Sequence, residues 1–183
     1  NGTQSFMSDG EIVVFVVGTI VLLFFTWRFS VKAGRFHGLY RFFAFESILM
    51  LCLLNWRFWL VDPFSWHQII SWLLLCGSII PAVEGFRLLR VVGKPDGQFE
   101  NTTRLVKVGA YKYIRHPLYV SLMILGLGIF FKQMSWVGGV CAIIDVAAII
   151  ATARREENEM VERFGSEYAA YMQETKMFIP HIF

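Results

Sequence analysis

Residues 117–153 read PLYVSLMILGLGIFFKQMSWVGGVCAIIDVAAIIATA, two apolar runs (117–131 and 136–153) separated only by the short turn Lys132 to Ser135. Each run is close to the roughly 20 apolar residues that carry a helix across a bilayer core. The stretch therefore predicts a helical hairpin that leaves and re-enters the same side of a membrane. Outward from it, further apolar runs lie at 12–29, 40–61 and 66–86. Composition agrees, since 56% of the 183 residues are hydrophobic and only 17% are charged, against about a quarter charged in soluble domains. Mean hydropathy is +0.53. These values exclude a disordered chain, a disulfide scaffold and a water-soluble globule. The predicted fold class is all-α: one integral membrane domain over 1–183, a bundle of five transmembrane helices with a C-terminal amphipathic helical tail on the cytoplasmic face. Any active site has to be built from helix ends and short loops.

The connections set the orientation, because short cytoplasmic loops collect Lys and Arg. Arg28, Lys32, Arg35 and Arg41 lie at the facing ends of the first two runs and between them, with no acid among them. The long loop 87–116 carries Arg87, Arg90, Lys94, Arg104, Lys107, Lys112 and Arg115 against Asp96 and Glu100. The turns at Asp62-Pro63 and at Lys132 to Ser135 are short. This alternation predicts an outer N-terminus, with the long loop and the tail 154–183 in the cytoplasm of a bacterial inner membrane or an endoplasmic reticulum. Asn1 to Gly10 is polar without a basic start, so the first run reads as a retained helix rather than a cleaved signal. The tail reads as two amphipathic helices, one through Met160, Val161 and Phe164 that stops at Gly165, and one that starts at Ser166.

Other features carry no chemistry. Cys52, Cys76 and Cys141 fall inside apolar runs without the paired spacing of a metal site or disulfide. The net charge of +3 is dispersed between apolar runs and does not point to nucleic acid. Gly34, Gly38, Gly126, Gly128, Gly138 and Gly139 read as points of close helix approach, and Pro81 as a kink. No metal site is predicted.

Two polar clusters remain. Gly109 to Tyr119 immediately precedes the fourth run, and Arg154-Arg155-Glu156-Glu157 immediately follows the fifth. His116 and Glu156 are 40 residues apart, enough for one helix of about 18 residues, a turn and a similar helix back at 1.5 Å per residue. Both clusters emerge on one face and can line one pocket. Pro117 suits the first helical position, which makes His116 the N-cap and turns the helix's positive end to the loop. An anionic group can dock there. Tyr111 and Tyr119 offer aromatic faces and hydroxyls, while Glu156 and Glu157 suit an amine or a ribose. Together they fit a zwitterionic, ring-bearing cofactor. Among the carboxyls at membrane depth, Glu84 reads as helping to line the pocket, and Glu46 equally as a site residue or a structural hydrogen-bonding group. Set against this, aromatic and basic residues before a span are ordinary interface anchors, and 154–162 can be read as a solvated face.

The run Leu105 to Tyr119, the hairpin, Glu156-Glu157, Phe164-Gly165, Glu167-Tyr168, Tyr171 and Phe178-Ile179-Pro180 together resemble the isoprenylcysteine carboxyl methyltransferase family and its phospholipid methyltransferase relatives. The likeness covers about the last 80 residues. It implies an integral membrane enzyme that takes S-adenosylmethionine, releases S-adenosylhomocysteine, and draws a lipid-like acceptor from the bilayer. Carried over, the cofactor contacts fall on Thr103, Arg104, Leu105, Val106, Tyr111, His116, Pro117, Leu118, Tyr119 and Glu156. Glu157 and Arg155 are the candidate catalytic residues. The family's carboxyl methyltransferases carry an arginine about one turn before the first glutamate, and here that position is Thr152. The acceptor the resemblance implies is an isoprenylcysteine carboxylate or a phospholipid or other small lipophilic amine, and Thr152 makes an amine or another lipid more plausible than the family name suggests. Two rival readings stand beside this one: an NADPH-dependent sterol or steroid reductase, whose C-terminal end looks similar, and a non-catalytic membrane scaffold or binding protein.

Overall fold

A computed structural model of the chain describes residues 7–30, 37–96 and 102–182. Lys32, Gly34, Arg35 and Glu100, used above for orientation and packing, lie outside the described residues. The described chain is helical: α1 (Asp9–Phe29), α2 (His37–Asn55), α3 (Trp66–Val91), α4 (Pro117–Phe130), α5 (Trp136–Phe164) and α6 (Ser166–Glu174), with short 3-10 turns at Trp56–Phe58 and Gly109–Lys112. No strand occurs among these residues beyond two isolated bridges, Pro95 with Thr102 and Ile114 with Lys176.

Four helices are long and apolar enough to cross a membrane: α1, α2 with its 3-10 extension, α3 and α5. Helix α4 has 14 residues, about 21 Å at 1.5 Å per residue, short of the ~30 Å hydrocarbon core. Two helices outrun the apolar runs that announce them. Helix α3 continues past residue 86 to Val91, because Arg87 to Arg90 are good helix formers. Helix α5 continues through 154–164, which was expected as a separate amphipathic helix. No Gly or Pro interrupts that segment, and the helix ends at Gly165 with φ +57°, a left-handed conformation that costs glycine least.

The described chain divides into two compact units. The first unit holds residues up to Trp72 together with Gly126–Thr152. Helix α1 begins with a capping box in which Ser8 Oγ accepts from the Glu11 amide and Glu11 reaches back to the Ser8 amide. Glu11 Oε1 also accepts from Trp56 Nε1 (2.7 Å) and pairs with Arg57 (2.9 Å), joining the start of α1 to the end of α2. No residue of α1 is buried, as befits a helix whose solvent is lipid. Thr19 Oγ1 donates to Glu46 Oε1 at 2.5 Å, so Glu46 ties α1 to α2.

Within this unit the end of α4 is held by donors from α2 and α3: Asn55 Nδ2 to Ile129 O (2.9 Å) and Ser71 Oγ to Gly128 O (2.6 Å). Lys132, expected as a turn residue, is fully buried. Its Nζ donates to Gln68 Oε1 (3.0 Å) and sits 3.5 Å from the Trp72 ring centroid. A buried ammonium over an indole gains about 2 kcal/mol where water is excluded, which offsets part of the cost of taking the charge out of water. Asp145 on α5 is also fully buried, and neither carboxylate oxygen has a hydrogen-bond partner among the described residues. A Cβ on Gly126 would collide with its Oδ2, so glycine at 126 is what lets α4 pass that carboxyl.

An unpaired buried polar group costs about 1–3 kcal/mol. We therefore expect Asp145→Ala to raise stability by about 1–2 kcal/mol, after the small cavity is set against the relief. Reversible denaturant unfolding in detergent measures it, and a fall in stability would show that the carboxyl has a stabilising partner.

Candidate functional site

The second unit comprises Leu73–Leu125 and Ala153–Phe183 as divided, described through residue 182. It is organised around the first turn of α4. Pro117 opens the helix as the sequence predicts, and the first ladder bond runs from Val120 N to His116 O (3.0 Å). Pro117 brings no N–H of its own, and its fixed φ is already helical. The positive end of the helix dipole is thereby fixed beside His116 and Tyr119.

Glu156 and Glu157, adjacent on α5, are both bound to this turn. Tyr119 Oη donates to Glu156 Oε2 at 2.6 Å. Glu157 Oε1 takes Arg115 Nε at 2.5 Å and lies 3.2 Å from His116 Nε2. His116 Nδ1 is 4.0 Å from Glu156 Oε2. The His116 ring stacks on Tyr119 with centroids 5.3 Å apart, and Phe178 lies tilted against it at 5.9 Å. Arg115, His116 and Glu157 are nearly excluded from solvent, with side chains 8%, 6% and 6% exposed. One oxygen of Glu157 thus holds an arginine and a histidine that are neighbours in sequence.

Arg115 also reaches the C-terminal segment. Its Nη1 donates to Met172 O (3.2 Å) and Thr175 O (2.6 Å). The backbone runs beside that segment in a short parallel bridge: Arg115 N to Lys176 O (2.8 Å), His116 N to Met177 O (3.2 Å) and Lys176 N to Tyr113 O (3.2 Å). The residues after α6 are thereby strapped to those before α4.

Tyr111 is buried in the 3-10 turn, and its carbonyl accepts from Tyr171 Oη at 2.6 Å. Burial, then the charge of Glu156, pushes the Tyr111 phenol above the ordinary tyrosine range. For Tyr168 the causes are burial, then Glu157 and Glu156. Tyr171 is also raised, first by burial, with Arg115 opposing. All three phenols stay neutral hydrogen-bonding groups through physiological pH.

Not every predicted residue joins this cluster. His116, Pro117, Tyr119, Glu156 and Glu157 do, and Leu118 lies in the same turn. Val106 is buried and Leu105 half-buried on the loop. Thr103 and Arg104 are exposed, and their amides bond Gly93 O at the end of α3 (2.9 and 3.2 Å). Arg155 is exposed on α5, whereas Glu157 beside it is buried. Thr152, where the carboxyl methyltransferases carry arginine, is buried with its hydroxyl turned back to Ala148 O (2.7 Å). Glu84 accepts from the Ala110 amide at 2.9 Å. Sequence reasoning gave Arg115 no role of its own. Its position two residues before a helix-opening proline, opposite a pair of acids, was the available signal.

Comparison with known proteins agrees with the likeness read from the motifs. A family model described as phospholipid methyltransferase matches residues 66–167, more than half of the chain. Methanethiol S-methyltransferase 1 of Bradyrhizobium diazoefficiens is 28% identical over 169 residues, which is 84% of this chain and 58% of that protein. A methanethiol S-methyltransferase of a Pseudomonas strain is 35% identical over 72 residues, 38% of this chain and 26% of that protein. The chain spans only part of the length of both relatives, a little over half of the first. Neither rival reading, reductase or scaffold, gains support from these matches. Its apolar spans, its ordered C-terminal motifs and the matching model agree: the chain belongs to the phospholipid methyltransferase family of membrane methyltransferases.

Proposed function

We propose that this chain transfers a methyl group from S-adenosylmethionine to a small or lipid-like nucleophile, with the cofactor held at the first turn of α4. The observation that carries the reading is that Glu156 and Glu157 are both tied to that turn, through Tyr119 and His116. The donor set fits the cofactor's charges. A carboxylate suits the positive helix end at Pro117, an ammonium or ribose suits Glu156, and a ring suits the faces of Tyr111 and Tyr119. Thr103, Arg104, Leu105 and Val106 would form the outer wall. The cofactor supplies an electrophilic methyl on a sulfonium.

The chain's part is to position, exclude water and manage one proton. A carboxylate acceptor would call for a cation near Glu156, and Thr152 is not one. We favour a thiol, the acceptor in the names of both relatives, and an amine next. In transfer to a thiol, the sulfur–methyl bond forms as the sulfonium–methyl bond breaks, and the thiol proton must leave. His116, held through Nε2 by Glu157, can take that proton on Nδ1. Glu157, engaged by Arg115, acts by fixing the histidine, and exposed Arg155 would meet the acceptor or the headgroup region. In the bilayer, α4 would complete a fifth, short crossing of a single membrane domain, with the N-terminus outside and the site on the cytoplasmic side.

In lipid nanodiscs we expect calorimetry to show S-adenosylhomocysteine binding that weakens about tenfold or more in His116→Ala and Glu156→Ala, with no comparable binding of NADPH. Unchanged affinity in both variants would remove the site. Product analysis with an alkyl thiol, an alkylamine and a prenylated cysteine should rank the thiol first, and a preference for the prenylated carboxylate would overturn the acceptor assignment. Arg115→Met should destabilise the fold by about 3–5 kcal/mol, because it leaves a buried carboxylate without its ion partner. Denaturant unfolding would show it, and a loss under about 1 kcal/mol would mean that Glu157 is compensated without the arginine.

A further inference from the structure

Glu84 lies on α3, 26 residues before the amide it binds. It belongs to neither polar cluster that flanks the hairpin, yet it bonds the loop that carries Tyr111. Its Oε1 accepts from Ala110 N at 2.9 Å, in the first turn of the 3-10 segment Gly109–Lys112. No side chain caps that turn at Val108, the position ahead of it. A carboxylate at the N-terminal end of a helical turn both satisfies a loose donor and meets the positive end of its dipole.

The residue beside the bond is fitted to it. Gly109 has φ +59°, and a Cβ there would come within 2.6 Å of Glu84 Oε1 and 2.6 Å of Leu88 Cδ1. Glycine supplies both the left-handed backbone and the space through which the carboxylate reaches the amide. Any side chain at 109 would have to displace that oxygen or the leucine. Two residues after Gly109, the Tyr111 carbonyl accepts from Tyr171 Oη at 2.6 Å. Tyr111 is thus fixed from two directions: through the turn by α3, and through its carbonyl by α6.

We infer that Glu84 is a positioning residue for cofactor binding, acting through the Ala110 amide to hold the turn that carries Tyr111. The inference rests on the methyl-transfer reading for its functional half and on geometry alone for its structural half. Glu84→Gln keeps an oxygen that can accept the amide, whereas Glu84→Met keeps the length and loses the acceptor. A role in global stability alone would lower the active fraction and melting temperature without moving KM.

The experiment uses the full chain in nanodiscs and pairs two readouts. Hydrogen exchange at Ala110 and Tyr111, measured without cofactor, should accelerate about tenfold in Glu84→Met and stay near wild type in Glu84→Gln. KM for S-adenosylmethionine should rise about tenfold in Glu84→Met, with kcat per folded enzyme within about twofold, and return in Glu84→Gln. Unchanged exchange in Glu84→Met overturns the inference whatever the kinetics do. Faster exchange with unchanged KM overturns the link to the cofactor and leaves the methyl-transfer reading standing. If wild type binds no S-adenosylhomocysteine, the methyl-transfer reading itself fails and the positioning role falls with it, an outcome visible before any variant is made.

Discussion

The site depends on one buried carboxylate. Glu157 Oε1 accepts from Arg115 and faces His116 Nε2 where water is nearly excluded. A carboxylate in such surroundings is tolerable only when its charge is met by a cation and its lone pairs by donors. Arg115 meets that condition and donates through Nη1 to Met172 O and Thr175 O. The consequence reaches beyond the pair. The segment after α6 is drawn beside the residues that precede α4, and Phe178 is set against His116. Because the histidine is gripped at Nε2, its other nitrogen is left facing Glu156. The orientation of the His116 ring therefore follows from the ion pair that fixes Glu157.

The other unit shows what the bilayer asks of the rest of the chain. Helix α1 buries none of its residues, and lipid makes that stable where water would not. Polar side chains there serve mostly as fasteners: Asn55 and Ser71 hold carbonyls of α4, Gln68 and two indoles hold Lys132, and Thr19 holds Glu46. Hydrogen bonds of this kind do part of the work that the hydrophobic effect cannot do between helices in hydrocarbon. Asp145 differs, a carboxyl enclosed with no donor on either oxygen among the described residues and admitted by the missing side chain at Gly126.

Much of this was legible in the residues themselves. The helical hairpin followed from two apolar runs and a four-residue turn, and Pro117 fixed where α4 begins. The meeting of the His116 turn with Glu156 and Glu157 followed from the length of the hairpin. The rest was hidden for physical reasons. The full length of α5 was obscured because polarity changes at Arg154 while helix propensity does not, so the stop came only at Gly165. Glu84 reads as a pocket carboxyl, and sequence does not mark that the Ala110 backbone amide is its partner. Lys132 reads as a turn residue because its cage comes from Gln68 and Trp72, a long way off in the chain. Thr103 and Arg104 were placed by likeness, and nothing in the residues themselves marks that their amides bond Gly93 O at the end of α3.

The proposed methyl transfer requires that the turn opening α4 and the acids of α5 hold a single S-adenosylmethionine. Ultraviolet cross-linking of radiolabelled cofactor to the full chain, followed by mass spectrometry of the labelled peptides, tests this most directly. The account predicts label on the peptides that contain Tyr111 and Tyr119, removed by excess S-adenosylhomocysteine. Competable label confined to peptides from α1 or α2, with none on residues 103–119 or 156–157, would contradict it.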